Sequence, residues 1–310
     1  MSDSGPEVTV IVPTVGRQAQ LERCLSALRI QKGVQRLSVI VVHNHTRKIE
    51  DTTYGGDVRI RHIREPRISV GRARNTGLAA AQTPWVLYTD DDCVVPAHWV
   101  VERRAFVSSH PETVCIGGLI SEPNTQGCIN SFMHRLNYMG TARTMKMRPG
   151  NIPSMGCGNL AFRRDVLLTL GGFNERITSG EDYEILVRLR EAGHSLALDY
   201  NGEPVKHMPV TDLRRFVSRY LWYGKGVAQI AMLHGLDWES HRIYLRDLNA
   251  AEIARAAHRF ALEDLRNTRC HPGTPRLHLP AHVVLAYVRA LSWQLGAFSQ
   301  LRKGVNTRYE

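Results

Sequence analysis

Nowhere in this 310-residue sequence do apolar residues run unbroken for the roughly 18 positions that a bilayer-spanning helix requires, so no transmembrane segment is expected. Cysteine is sparse: 6 residues, Cys24, Cys93, Cys115, Cys128, Cys157 and Cys270. None are spaced C-x-x-C and several sit among apolar neighbours, which excludes a disulfide scaffold and suits reduced thiols. Zinc-finger spacing, an aromatic RNA-binding signature and any dense Lys/Arg tract are also missing. Nucleic acid is therefore not an expected partner. The formal net charge of +11 still invites anions such as phosphates, nucleotides or membrane headgroups. The first seven residues lack the basic segment and apolar core of a secretion signal, so a cytoplasmic location is expected, with at most a peripheral position at the inner membrane face. Internal repeats and low-complexity segments are absent.

What is present reads as a soluble globular protein, with 43% apolar and 22% charged residues, long enough for one large domain plus an appendage. Val8-Thr9-Val10-Ile11-Val12-Pro13 is a β-branched run ended by proline, which reads as a central parallel strand. Leu21, Cys24, Leu25 and Leu28 recur at helical spacing between Gln18 and about Gln31. Leu37–Val42 is a second buried strand and completes a right-handed βαβ unit. Val58–Ile63 alternates apolar and basic residues and reads as a strand nearer an edge. An alanine-rich helix is expected over Arg72 to about Gln82, with Gly71 before it.

Trp85 to Tyr88 is a short apolar run that ends in Thr89 and three adjacent carboxylates, Asp90, Asp91 and Asp92. Carboxylates this close repel one another, and at the buried end of a strand they call for a cation. The pattern reads as a strand tip offering oxygen ligands to a divalent metal, at the edge where open α/β sheets bind ligands. The plainer alternative is an exposed acidic turn. Pro96 then opens a helix, and Val114–Ile120 is a further strand. Residues 122–149 show no clear period and read as a long loop with a short helix. Ser154–Phe162 is glycine-rich and then apolar. Short helices follow over Asp165–Leu170 and Tyr183–Ala192, and short strands over Ser195–Asp199 and Pro204–Met208. Beyond Pro209 the pattern turns helical, over Leu213–Leu233, Arg242–Leu265 and Ala281–Leu301. A boundary near residue 210 therefore separates a 1–210 α/β domain from a 211–310 helical region.

Several of these stretches, taken in order, resemble the family-2 inverting glycosyltransferases, which have the GT-A fold. They are Val10-Ile11-Val12-Pro13-Thr14, Arg72-Ala73-Arg74-Asn75-Thr76-Gly77, Asp90-Asp91-Asp92, and Gly171-Gly172-Phe173-Asn174-Glu175 followed by Gly180-Glu181-Asp182-Tyr183. His207 falls where the family often has a histidine after its last core strand. The resemblance covers Val8 to about Lys225. It implies a GT-A fold with a C-terminal helical extension, a nucleotide-diphosphate sugar donor, a hydroxyl-bearing acceptor, and Mn²⁺ or Mg²⁺ as cofactor.

By the same resemblance Asp92 ligates the metal and Asp90 contacts the donor ribose or the metal shell, with Asp91 in a supporting role. His207 is a further ligand or a plain strand-end histidine. Arg74 grips the diphosphate near a helix start, where backbone N–H groups also favour anions, and Arg72 is solvated. Pro13, Thr14 and Arg17 after the first strand, and His43 after the second, complete the donor side. Inversion needs a base opposite the leaving group; the resemblance makes that Asp182, with Glu181 beside it on the acceptor side. Gly156, Cys157 and Gly158 form an acceptor-side wall, with Cys157 a packed side chain and not a nucleophile.

One departure stands out. Where the family has an aspartate for the nucleotide base, this sequence has Val41-Val42-His43-Asn44-His45-Thr46. An aspartate only accepts hydrogen bonds, whereas a histidine accepts only when neutral, so uridine, thymidine and guanosine donors stay open. Two further stretches carry alternatives. Tyr220–Gly226 reads as a helix–helix contact or as a segment closing over the site. Leu279–Leu301 reads as packing on the catalytic domain or on a second subunit of a homo-oligomer, with peripheral contact of basic C-terminal helices to a membrane as the other option. The rival functions are a sugar-1-phosphate nucleotidyltransferase, whose basic glycine-rich loop Pro13-Thr14-Val15-Gly16-Arg17 does not match, and a non-catalytic glycan- or membrane-binding module. Donor sugar, acceptor and linkage are not written in the sequence.

Overall fold

A computed structural model of the chain describes residues 7–47, 52–54, 57–122, 127–142, 155–208, 210–236, 243, 249–268 and 279–303. In chain order the strands are β1 (Val8–Thr14), β2 (Leu37–His43), β3 (Thr52–Tyr54), β4 (Val58–Arg64), β5 (Trp85–Tyr88), β6 (Cys93–Val94), β7 (Thr113–Gly118), β8 (Ile120–Ser121), β9 (Leu160–Arg163), β10 (Ser195–Asp199) and β11 (Val205–His207). The helices are α1 (Gln18–Arg29), α2 (Val70–Ala80), α3 (Trp99–Ser109), α4 (Cys128–Ala142), α5 (Arg164–Thr169), α6 (Glu181–Glu191), α7 (Leu213–His234), α8 (Ala250–Thr268) and α9 (Leu279–Leu301). The chain divides into two compact units. The first is Met1–Ser121, Gly150–Glu175 and Asp182–Met208; the second is Glu122–Pro149, Arg176–Glu181 and Pro209–Glu310.

The first unit is built on an eight-stranded sheet in the order β10-β7-β9-β5-β1-β2-β4-β3. β1 is buried at every position, as a central parallel strand with both faces covered must be. It pairs in parallel with β2 on one side and β5 on the other, and β2 pairs in parallel with β4. Parallel strands put the ends of β1, β2, β4 and β5 on one edge. β9 runs antiparallel to β5 and β7, with Leu160 opposite both Tyr88 and Gly117. Its beginning therefore meets the end of β5, and this carries residues 156–159 to the same edge. A small second sheet, β6-β11-β8, sets His207 opposite Cys93.

α2 starts at Val70, earlier than the sequence reading placed it, because Ser69 caps it: the Ser69 hydroxyl accepts the Arg72 amide at 3.4 Å. The helix lies hard against the sheet at Gly77, where a Cβ would overlap Ile11 Cγ2 and stand 3.2 Å from Val42 Cγ2. Pro96 does not open a helix. It opens the turn that precedes one, its carbonyl accepting from Trp99 N and from Gln31 Nε2, and α3 begins at Trp99.

In the second unit, the short helix expected within the long 122–149 loop is the 15-residue α4. Ile129, Phe132, Met133 and Leu136 recur at three- and four-residue steps and pack in one cluster with Phe216, Tyr220 and Phe260; the polar residues between them obscured that period. α7 and α9 approach backbone to backbone at two glycines: a Cβ at Gly224 would overlap the Trp293 carbonyl, and one at Gly296 the Leu221 carbonyl. Tyr220–Gly226 is thus part of a helix–helix contact. Arg289 is enclosed, paired with Asp264 and 4.7 Å from the ring centroids of both Tyr220 and Phe260. The pattern expected to begin at Arg242 is helical from Ala250 onward; residues 244–248 and Cys270 lie outside the described residues.

Candidate active site

The three strand-tip carboxylates have different surroundings. Asp91 is buried. Thr14 Oγ1 donates to its Oδ2 at 2.6 Å, Arg17 Nε at 3.3 Å, and Arg17 NH2 is paired with its other oxygen. Burial pushes the Asp91 carboxyl above the usual range, and the bonds from Arg17 and Thr14 oppose this. Its oxygens are spent tying the β5 tip to the β1 tip, so Asp91 and Thr14 are struts beneath the edge and not open donor contacts. Pro13 is buried on β1 as well. Arg17 keeps 44% of its side chain exposed and bridges to Asp92 at 3.0 Å. Asp90, with 30% of its side chain exposed, is the most open of the three acids.

Asp90, Asp92 and Cys93 present ligand atoms within 4.8 Å of one another. Burial drives the Cys93 thiol well above its ordinary range, so it stays protonated and is a poor partner for a hard cation. His207 is better suited. β11 sets its Nε2 3.6 Å from Asp92 Oδ1, and the Met208 amide donates to the Asp92 carbonyl at 2.8 Å. Two carboxylates and an imidazole match the oxygen and nitrogen preferences of Mg²⁺ or Mn²⁺.

Arg74 is not at a helix start. It lies in the second turn of α2, only 4% exposed, with NH2 on Asp90 Oδ1 at 2.9 Å and its guanidinium 5.7 Å from the Phe173 ring centroid. Burial alone would disfavour its charge. The Cys157 sulfur, Asp90 and Asp182 outweigh burial and raise its pKa strongly; since burial keeps Cys157 a thiol, the two carboxylates supply the effect. Arg72, expected to be solvated, pairs with Glu175 at 3.1 Å.

These contacts show what the Arg72–Gly77 stretch does: it is the seat of the Gly171–Glu175 turn. Asn75 Oδ1 accepts the Phe173 amide at 2.8 Å, its Nδ2 donates to the Phe173 carbonyl at 2.9 Å, and a Cβ at Gly71 would stand 2.7 Å from the Asn174 carbonyl. Arg188 on α6 then donates to the carbonyls of Leu170 and Gly172 at 2.7 and 2.6 Å. Asn75 and Arg188 were not among the expected site residues, although Asn75 sits inside a recognised motif.

That chain of bonds fixes the start of α6. Asp182 is half-buried and accepts the Cys157 amide at 3.3 Å and the Tyr183 amide at 2.8 Å. A Cβ at Gly156 would stand 3.4 Å from Asp182 Oδ2, and one at Gly158 3.8 Å from Asp90 Oδ2. The turn at residues 156–158 therefore has the strand-tip acid at one end and the helix acid at the other. Cys157 is buried and inert there. Glu181 is buried too and belongs with the 176–181 segment of the second unit.

His43 is register-paired with Thr14 and Arg64 and is 7% exposed. Its Nε2 shares a 2.8 Å hydrogen bond with His62 Nδ1, and the His45 ring stands edge-on at 5.5 Å. Burial first, then the two neighbouring histidines, lowers its pKa to about 4, so the ring is neutral near pH 7.

A model of glycosyl transferase family 2 matches residues 9–171, more than half of the chain. This chain belongs to that family. The matched span holds β1, α2, the strand-tip acids and the 156–158 turn; Asp182 and His207 lie beyond it. The family-2 chain is 26% identical over 243 residues to a pre-mycofactocin glycosyltransferase of Mycobacterium tuberculosis, covering 74% of this chain and 49% of that one. It thus spans about half the length of that curated relative. It is 24% identical over 242 residues to the glycosyltransferase AglE of Haloferax volcanii, covering 75% of this chain and 77% of AglE. Among solved structures, the mannosyltransferase PcManGT of Pyrobaculum calidifontis in complex with GDP-Man and Mn²⁺ superposes with TM-score 0.59 at 18% identity, covering 94% and 88% of the two chains. TarS 1-349 of S. aureus in complex with UDP-GlcNAc gives 0.51 at 14% identity, covering 98% and 94%. These likenesses show the fold, which is GT-A with C-terminal helices. Family membership displaces the nucleotidyltransferase reading.

Proposed function

We propose that the first compact unit transfers a glycosyl group from a nucleoside diphosphate sugar to an acceptor hydroxyl, with inversion at the anomeric carbon. The observation that carries this reading is the arrangement of Asp90 and Asp182 at the two ends of one glycine turn, with the buried Arg74 charge acting on both. In a direct displacement the acceptor oxygen attacks the anomeric carbon, and the bond from that carbon to the diphosphate oxygen breaks, its electron pair leaving with the nucleoside diphosphate. The acceptor proton passes to Asp182 Oδ. Asp182 suits that task because it is only half-buried and its two amide donors orient the carboxylate without enclosing it.

Asp90, Asp92 and His207 would hold a divalent cation, which when bound acts as a Lewis acid on the leaving diphosphate. Arg17, on Asp92 and partly exposed, is the cationic side chain of this edge placed to meet donor phosphates. The named ligands of the two solved neighbours, a GDP sugar with Mn²⁺ and a UDP sugar, support a nucleotide-sugar donor and a divalent cation. Gly156 and Gly158 put no side chain of their own beside the two acids, leaving Ile120 as the apolar side chain nearest both glycines.

The decisive test is Asp182→Asn assayed with matched donor and acceptor. Turnover is expected to fall about 10²–10⁴-fold with donor binding unchanged, and NMR of the wild-type product is expected to show the inverted anomer. Full turnover by the variant would remove Asp182 from the role of base, and a retained anomer would remove inversion. Donor hydrolysis that stays at zero without acceptor across UDP, GDP and dTDP sugars would favour a non-catalytic module. A thermal-shift series with those nucleoside diphosphates and Mn²⁺ identifies the base that is bound.

A further inference from the structure

The net positive charge of this chain is concentrated in one unit. Residues 122–149, 176–181 and 209–310 hold 20 Lys and Arg against 10 Asp and Glu, whereas the rest of the chain holds 20 against 19. Nearly the whole excess of +11 therefore belongs to the helical unit. α8 itself is balanced, with three Arg against Glu252, Glu263 and Asp264, and Arg255 pairs with Glu252, but its exposed arginines are arranged. On α8, Arg255, Arg259, Leu262 and Arg266 are exposed at steps of four, three and four residues, which places them along one line of the helix surface.

The neighbouring helix complements this line. α9 has no Asp or Glu in its 23 residues. Its buried side includes Ala286, Ala290 and Ala297, while Val284, Leu291 and Leu295 stand 62%, 42% and 40% exposed at steps of seven and four. Arg302, exposed and 5.8 Å from the Phe298 ring centroid, extends the same line past the helix end. Tyr287 Oη and His258 Nδ1 share an exposed 2.8 Å hydrogen bond between α9 and α8. Tyr287 borders the apolar line and His258 the basic line, so the two lines flank one exposed seam.

We propose that this α8–α9 face docks on an anionic phospholipid surface, with Val284, Leu291 and Leu295 in the interface and the arginines among the headgroups. No described helix is long and apolar enough to cross a membrane, so the contact is peripheral. Apolar burial and attraction to anionic lipid act together on such a surface. A nucleic acid would reward the arginines but not the exposed aliphatic line. A second copy would bring a like-charged unit against this one, which opposes pairing. The inference does not depend on glycosyl transfer, because binding is measured without substrate.

The test is co-sedimentation of the full chain with vesicles of phosphatidylcholine alone and of phosphatidylcholine containing about one-third phosphatidylglycerol. Binding to the anionic vesicles alone, weakened by salt, is expected. Arg259→Gln with Arg266→Gln should lower the partition coefficient about fivefold per charge, and Leu291→Ser with Leu295→Ser at least about tenfold. Thermal melting checks each variant's fold, with Val284→Ser as the substitute if the leucine pair fails it. Absence of binding to the anionic vesicles overturns the proposal. So does wild-type binding by the serine variants alongside loss in the arginine variants, which would mark a general polyanion surface. A wild-type dimer in light scattering that the serine variants dissociate would assign the line to a second copy and overturn it equally.

Discussion

His43→Asn should flatten the loss of stability on acidification. The folded His43 has a pKa of about 4 against an ordinary 6.5. The unfolded chain therefore binds the proton more readily, and acidification favours unfolding. This contribution is absent above the unfolded value, grows as pH falls below 6.5, and saturates near 4. Integrating proton uptake to pH ~5 gives about 2 kcal/mol of lost stability, or about 4–8 °C in melting temperature for a unit of this size. The assay is differential scanning fluorimetry of both proteins at about pH 7.5 and pH 5. The quantity that matters is the difference between their two pH shifts, which cancels the intrinsic effect of replacing the ring and the titration of groups not coupled to His43; His62 and His45, which touch it, contribute with it. His62→Asn should shrink the shift in the same direction, because burial lowers that ring's pKa as well. Equal pH shifts in wild type and His43→Asn would refute the reasoning, and would mean that His43 takes up its proton in the folded chain as easily as in the unfolded one.

Asp91→Asn should cost about 1–3 kcal/mol of stability, since a buried acceptor of bonds from Thr14 and Arg17 is replaced by a group that cannot serve both. Asp92→Asn should instead leave melting nearly unchanged and cut turnover; the reverse pattern would exchange the assigned roles. Arg74→Met should depress activity and destabilise by about 3 kcal/mol or more, because two partly enclosed carboxylates lose a common counter-charge, and Arg74→Lys should restore part of both. An Arg74→Met enzyme with normal stability and a weakened donor KM alone would return Arg74 to diphosphate binding. Gly296→Ala should unfold the helical unit or lower its melting by about 2 kcal/mol or more, as the new methyl meets the Leu221 carbonyl; circular dichroism melting unaffected by this change would mean that α7 and α9 do not cross there.

The parts of this protein that depend on neighbours in sequence were legible from the sequence. β1 and β5 announce themselves because a buried parallel strand is predominantly apolar, and the carboxylates follow β5 after Thr89 alone. The same holds for Gly180 before α6 and for the helical character beyond Pro209. Mixed signals failed where polarity hid the period, as in α4, and where a cap moved a helix start, as at Ser69. What only the tertiary structure decided was which side of a motif faces inward. Asp91 and Asp92 are adjacent in the chain, yet one is a strut to Thr14 and the other lies toward His207, because both sit in the turn between β5 and β6, whose course is set by its packing against β1 and β11. Arg74 matches the motif of a phosphate ligand and is instead buried against Asp90, since the cap at Ser69 turned it into the second turn of α2. The meeting of Asp90 with Asp182 across Gly156–Gly158 depends on β9 running antiparallel between β5 and β7. No local pattern contains that fact, because strand order is fixed by packing between segments far apart in the chain.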